Sequence, residues 1–493
     1  MLTFQLAIFV TVLFVVQKFL CWLTQKPLKY PPGPPSLPFI GNMAVFMTGR
    51  APYHVLKELA DQFGSVVSLK MGTGRFVVLS TVEAIREAFV RQSECFAGRP
   101  YMYSISLLTR NNCGIAFGDY TPIWKVHRKS CAVAIHRNVR GKNCTSSDVK
   151  ILQEVEHLIV RLQQKTNQPT DISDDLNLAV LNVICDMTFG QRYEIHDSEY
   201  RAILDSANKF TAILQHGDPI DFIPALKIFP SKKLRLVQDV IKTRDAILQK
   251  KYEEHVATFD PKNIRDLTDA FLLSMLECTD ENGNHELTED HIVMAMFELF
   301  TGGFDSTFKT LKWAVIYLLH NPEVQKRIQD EMEQAIGSRL PTWDDHLKLP
   351  YLEATVLETL RSSSYSSLNG PRRTTTDTQL LGYDIPKDSI VVCNLWWVHH
   401  DPANWKDPDN FRPEHFINEN GEVFQPKAFM AFSLGRRACL GDLLARMEIF
   451  LLLGGMLQRF NITAPEEDGL PALEPLPDLI RSPNEYRVVL KNR

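Results

Sequence analysis

One cysteine, Cys439, sits inside the ten-residue run FSLGRRACLG, residues 432 to 441. Phe432, Gly435, Arg437 and Gly441 stand around it. Two glycines let a loop turn tightly and bring its backbone close to a flat molecule. The N–H groups of such a loop can point at a sulfur and stabilise it as an anion. The apolar run LGDLLARMEIFLLLGGMLQRF begins immediately afterward, so the cysteine precedes a helix whose positive end lowers a thiol pKa. Arg437 offers a fixed cation for an anionic group. Phe432 can shield the sulfur from water. These residue types suit one thiolate held against the iron of a flat cofactor.

Three further groups carry chemistry. Gly302, Gly303, Phe304, Asp305, Ser306 and Thr307 lie within a long apolar run of helical period. Two glycines inside a helix cost roughly 2 kcal/mol relative to alanine, which points to a packing or functional reason. They let a flat ligand approach the backbone, and Asp305, Ser306 and Thr307 could pass protons to a bound oxygen. Close helix–helix packing is the alternative use of the glycines. Glu358 and Arg361, three apart, share one helical face, as a solvated pair commonly does. Trp124 and Arg128, four apart, also share a face, and an indole N–H and a guanidinium can both reach a carboxylate.

The cysteine segment matches the haem-binding loop FxxGxRxCxG of the cytochrome P-450 family at all five defining positions, and the chain resembles that family from about Pro31 onward. Within it the sequence looks most like the animal microsomal branch of steroid 17-hydroxylase/17,20-lyases and aryl-hydrocarbon hydroxylases, through DFIPALKIFPSKK, GGFDST and GDLLARMEIFLLLGGMLQRF. The resemblance implies a haem b group (iron protoporphyrin IX) with Cys439 as its ligand. It implies propionate contacts from Trp124, Arg128, Arg372 and Arg437, and a loop and helix shaped by Phe432, Gly435, Gly441, Gly302 and Gly303. The segment GGFDST resembles the oxygen-activation motif, with Ser306 at the usual threonine. It implies proton delivery by Asp305, Ser306 and Thr307. The family's lock of one glutamate and two arginines becomes Glu358, Arg361 and His415 here, and a histidine's charge depends on pH.

The implied reaction is insertion of one oxygen atom from O2 into a lipophilic substrate, steroid-like or aromatic. Its electrons come from NADPH through a cytochrome reductase, with cytochrome b5 as a candidate second partner. A haem-thiolate isomerase or dehydratase, or a non-catalytic haem or lipid binder, are the competing readings. The basic stretch Lys125, Arg128, Lys129, Arg137, Arg140 and Lys142 reads as a solvated face or as a dock for an acidic donor. One segment departs from the pattern. After Arg361 the chain reads SSSYSSLNGPRR where the family has proline and apolar residues. Either the pocket is wetter, or Ser362, Ser363, Ser364, Tyr365, Ser366 and Ser367 bond to local backbone. Leu368 and Asn369 are expected to touch substrate.

The elements that must position these residues are mainly α with small β-sheets, as in the P-450 fold. SVVSLKMG and RFVVLST alternate around Gly72 and Gly74, which predicts a hairpin. The long helix carrying Gly302 should end near His320-Asn321-Pro322. Leu2 to Leu23 is almost wholly apolar and predicts an N-terminal transmembrane helix, residues 1–24. Prolines at 31, 32, 34, 35 and 38 predict a semi-rigid hinge over 25–40, and 41–493 would be the haem-thiolate catalytic domain. This places the protein in the endoplasmic reticulum membrane with a cytosolic catalytic domain. The 493 residues include no linker-like tract, and a formal charge of −5 does not suggest nucleic-acid binding. Nine scattered cysteines with no C-x-x-C pair argue against structural zinc and a disulfide framework.

Overall fold

The structure is a computed structural model. It describes residues 28–72, 74–140, 147–215, 219–221, 231–278 and 287–493. The predicted anchor lies outside these residues. Among them, no helix is long and apolar enough to cross a membrane.

Among the described residues helices dominate, and three small sheets join them. Helix α1 covers Pro52–Phe63 and opens on the proline that a first helical turn tolerates. Strands β1 (Val66–Met71) and β2 (Gly74–Leu79) pair antiparallel from Val66↔Leu79 to Met71↔Gly74, the hairpin expected from the alternation. Helices α2 (Pro122–Arg140) and α3 (Ser147–Gln163) follow, then the two-residue strand β3 (Pro169–Thr170) and α4 (Ser173–Phe189). Next come α5 (Ser198–Gln215), α6 (Lys232–Thr258) and α7 (Leu267–Glu277).

The central element is α8, Glu289–His320. It spans 32 residues, about 48 Å of helix. It is apolar nearly all round because other helices surround it. It ends where expected, at Asn321, and α9 (Pro322–Ile336) starts on the proline. Helix α10, Pro350–Ser363, leads to β4 (Arg372–Arg373), β5 (Thr378–Leu380), β6 (Tyr383–Ile385) and β7 (Ile390–Cys393). Helix α11 (Asp442–Arg459) runs into β8 (Phe460–Thr463), which pairs with β9 (Val488–Asn492).

Long-range pairing sets the site. The first sheet is ordered β1-β2-β7-β4, with β2 and β7 parallel and Arg372 opposite Val391. This fixes Arg372, although almost three hundred residues separate its strand from the hairpin. Helix α11 packs on α3 through Gly455, where a Cβ would come 2.3 Å from Val155 Cγ1. The proline segment is bound to the sheet: Ser68 N donates to Pro32 O at 2.8 Å and Ser68 Oγ to Pro31 O at 2.7 Å. Asn42 Nδ2 donates to the carbonyls of Pro34 and Pro35.

Candidate active site

The Cys439 loop closes on itself: Cys439 N donates to Phe432 O at 2.9 Å. Gly435 turns the loop at φ +71°, and a Cβ there would lie 1.7 Å from Phe89 O. Backbone conformation and space both demand glycine at this position. Gly441 acts differently. A Cβ on it would meet only Cys439 Sγ, at ordinary contact distance, and its N–H points at that sulfur while it caps α11. Phe432 packs half-buried against the main core.

Cys439 is accessible, yet burial pushes its thiol pKa up. The two facts agree if the sulfur lies on the wall of an internal space, reachable by a ligand but remote from bulk water. The Gly441 N–H and the Arg128 charge work against the rise, and Asp442 adds to it. In the free thiol, burial therefore outweighs the help expected from the helix end.

Four guanidinium groups ring this loop. Arg437 is buried and donates to the carbonyls of Ala97, Ile115 and Gly118 at 2.8, 3.1 and 2.7 Å. Burial lowers its pKa to about 8, and the charges of Arg99, Arg128 and Arg372 push the same way. Trp124 donates its indole N–H to the same Ile115 carbonyl at 2.9 Å. Arg128, one turn along α2, reaches Ala438 O beside the cysteine. Arg372 stacks 3.4 Å over the Phe89 ring and donates to Ser433 Oγ and Leu434 O at 2.9 and 2.7 Å. Its Nη1 is buried without a partner, and burial lowers its pKa to about 9.

Arg99 is the fourth, and sequence reasoning missed it. Its donors go to the carbonyls of Ala116, Gly370 and Pro371. Its only sequence mark is the turn-like FAGRP. Glu298 was missed as well, although an acid four residues before Gly302 in an apolar helix is a readable signal. Burial raises it to about 7, and it accepts from Ile115 N and Ala116 N at 2.5 and 2.9 Å. It thereby fixes the loop whose carbonyls serve Arg99, Arg437 and Trp124.

This donor set fits a haem. Four buried or half-buried cations repel one another, and Arg372 keeps one unmatched N–H. Glu298 near Arg99 and Asp119 near Arg437 offset part of that charge, and the two carboxylates of a haem would offset more of it beside an accessible thiol. Trp124 and Arg437 present their donors to backbone here, whereas Arg372 has one to spare.

Across α8 the two glycines divide their work. A Cβ on Gly303 would come 2.7 Å from Ile184 Cδ1 of α4, so Gly303 serves close packing. A Cβ on Gly302 would meet nothing within 4 Å. Gly302 is exposed in a helix whose neighbours are buried, so it borders open internal space. Ser306 Oγ donates back to Gly302 O at 2.8 Å on that same face. Thr307 is buried. Asp305 is buried too, and its Oδ2 accepts from Lys309 Nζ at 2.9 Å and from the Tyr365 hydroxyl at 2.6 Å.

The structure brings Glu358, Arg361 and His415 together. Arg361 grips the Glu358 carboxylate with two bonds of 2.7 Å, both side chains fully buried. Its remaining donors hold the carbonyls of His399 and Pro408. His415 Nδ1 lies 3.2 Å from both Glu358 oxygens, and its Nε2 faces Lys406 O. Both ring nitrogens thus face acceptors.

Ser364 and Ser366 follow the second of the two readings and bond to local backbone, whereas the rest of the hydroxyl-rich segment does not. Ser364 Oγ bonds to Arg361 O and His399 Nδ1, Ser366 Oγ to Leu368 O, and Ser367 Oγ to Leu479 O. Ser362 joins the Glu358–Arg361 pair, and Ser363 Oγ alone is buried without a partner. Asn369 differs from expectation. It is buried and spends its amide on Cys393 N and Gly370 O, tying the segment to β7. Leu368 packs beside the sheet against Val55 and its neighbours.

A family model described as Cytochrome P450 matches residues 31–490. Steroid 17-alpha-hydroxylase/17,20 lyase of Ictalurus punctatus is 35% identical over 469 residues, 94% of this chain and 91% of that protein. Cytochrome P450 1A1 of Mesocricetus auratus is 37% identical over 452 residues, 89% of this chain and 85% of that protein. Among solved structures, "Zebra fish cytochrome P450 another structure with Progesterone" superposes with a TM-score of 0.81 at 32% identity. It covers 89% of this chain and 99% of its own.

Proposed function

This chain belongs to the cytochrome P450 family and is an oxidoreductase of the monooxygenase type, and we propose that it inserts one atom of O2 into a steroid-like or flat aromatic substrate. Its electrons come from NADPH through a membrane-bound reductase, with cytochrome b5 as a second donor. The observation that carries this reading is the accessible Cys439 thiol within a ring of four guanidinium groups, one of which, Arg372, keeps a buried N–H without a partner.

Haem b, when bound, would supply the reductive activation of O2 that thiolate ligation favours. The chain's own residues do the rest. Cys439 gives the ligand sulfur, and Gly441 N–H stabilises its charge. Arg372 would hold a propionate with its spare N–H, while Arg99, Arg128 and Arg437 set the positive potential around it. Phe432 and the core beside it keep water from the sulfur. Gly302 leaves room for a flat ligand on α8, and Asp305, Ser306 and Thr307 move protons toward that room. Glu358, Arg361 and His415 hold the segments beneath the site.

The substrate class rests on the relatives, two of them named for steroid hydroxylation and for cytochrome P450 1A1. The arrangement is a membrane anchor over 1–24, a proline-rich connection over 25–40 and a catalytic domain over 41–493, in the endoplasmic reticulum and facing the cytosol. Exposed Phe39 (94%) and Met47 (83%) beside the proline segment support a membrane-contacting face.

The test is direct. Purified protein should show the thiolate-type carbon monoxide difference band and, with NADPH and reductase, should oxidise a steroid or polycyclic aromatic probe. Cys439→Ser should lose both. A thiolate band with peroxide rearrangement and no NADPH dependence would replace this reading with an isomerase.

A further inference from the structure

Tyr365 sits in the segment that departs most from the family pattern, and its hydroxyl is the one in that segment that reaches α8. It donates to Asp305 Oδ2 at 2.6 Å. Lys309 Nζ, one turn further along α8, donates to the same oxygen at 2.9 Å. The ammonium also lies 5.9 Å from the Tyr365 ring centroid. Two donors thus converge on one oxygen of a carboxylate that is 4% exposed. Ser306 Oγ takes no part; it is turned back to Gly302 O.

Other contacts make the phenol's position firm. Arg481 N donates to Tyr365 O at 2.9 Å, and Arg481 Nη1 donates to the carbonyls of Ser362 and Ser363 at 2.9 and 2.8 Å. Ser366 bridges to Ile480. The serines on either side of Tyr365 bond to local backbone, so the turn that carries the ring is stapled at both ends. Burial and the Asp305 charge push the phenol's pKa well above its usual value, so it remains a donor at every working pH.

We propose that Tyr365 is a positioning residue for Asp305: with Lys309 it clamps the carboxylate away from Ser306, and release of this clamp sets how fast protons reach the Gly302–Ser306 face. The carboxylate must rotate about its own χ angles before it can meet the Ser306 hydroxyl. A charge-assisted bond from Lys309 and a phenol bond oppose that rotation. Slow proton supply favours escape of reduced oxygen as peroxide, so the clamp governs coupling of NADPH to product.

The inference rests on the proton-delivery role proposed above for Asp305 and Ser306. The experiment compares full-length wild type, Tyr365→Phe, Asp305→Asn and the double variant, all haem-loaded with reductase. In Tyr365→Phe the solvent deuterium isotope effect on NADPH oxidation should fall toward unity, and the peroxide fraction should fall. In the double variant neither should differ from Asp305→Asn alone. A second readout needs no turnover. With ring-carbon-labelled tyrosine, the resonance absent from Tyr365→Phe should shift in Asp305→Asn and in Lys309→Gln. An unchanged isotope effect and peroxide fraction in Tyr365→Phe, with a clear change in Asp305→Asn, overturns the clamp and leaves proton delivery standing. No change in Asp305→Asn overturns the proton-delivery reading itself. Additive effects in the double variant, or a phenol resonance indifferent to both α8 substitutions, also reject the clamp.

Discussion

The Arg437 guanidinium lies 3.6 Å from the centroid of the Trp124 ring, and both side chains donate to the carbonyl of Ile115. The cysteine loop, helix α2 and the 114–118 turn therefore meet at one oxygen. Arg437→Met keeps the stem but strands the carbonyls of Ala97 and Gly118, while Ile115 O keeps the Trp124 indole N–H. Each buried orphan costs about 1–3 kcal/mol. Thermal melts of the haem-loaded protein should show a large drop, together with reduced haem retention. Arg437→Lys should recover only part of either, since an ammonium cannot match a planar fork.

The buried Glu358–Arg361 pair gives a different kind of sensitivity. Arg361→Met would leave a fully buried carboxylate with His415 as its side-chain counter-group. Losing one partner of such a pair costs about 3–5 kcal/mol. Denaturant melts should report a shift of that size or failure to accumulate folded protein. Adding Glu358→Leu to Arg361→Met should restore part of the loss.

Two glycines predict opposite outcomes for the same substitution. Gly435→Ala puts a Cβ 1.7 Å from Phe89 O at a positive φ and should abolish haem incorporation. Gly302→Ala meets nothing within 4 Å and sits mid-helix. It should raise stability by up to about 1 kcal/mol. It should also weaken the spin shift that a flat substrate induces, because the methyl fills the space that ligand needs. Melting and optical titration of both variants check this.

Ser306 supplies a kinetic prediction. Its hydroxyl is bonded to Gly302 O, and it lacks the methyl that would stiffen χ1. Ser306→Thr should lower the peroxide released per NADPH, and Ser306→Ala should raise it. Equal yields in all three would remove this hydroxyl from proton delivery.

A pH effect arises far from the site, where α6 meets α7. Burial alone would lower the pKa of His255, but the Asp266 carboxylate at 2.8 Å overrides it and the value is raised. The stabilisation is complete below the unfolded value of about 6.5 and is lost as pH rises through the folded one. Wild type should thus lose part of its advantage over His255→Gln as pH rises above about 6.5, measured as the difference in urea midpoints.

Local pattern and spacing made the helices, the β1–β2 hairpin and the Cys439 loop legible. The end of α8 at Asn321 followed from the proline after it. What spacing could not reveal was which acceptors each donor would find. Trp124 and Arg437 were expected to face a carboxylate and instead share Ile115 O. Arg99 and Glu298 enter the site through backbone groups of a turn, and no periodicity marks such partners. The serine-rich segment left two readings open because hydroxyls bond equally well to water or to carbonyls. Several found partners remote in sequence, Asp305 for Tyr365 and Leu479 O for Ser367, which no local pattern marks.

The bonds from Ser68 and Asn42 to the prolines at 31, 32, 34 and 35 have a mechanical consequence. The chain leaves the sheet already aimed. A pull on the chain at Tyr30 is therefore taken up directly by β1 and not by a slack tether.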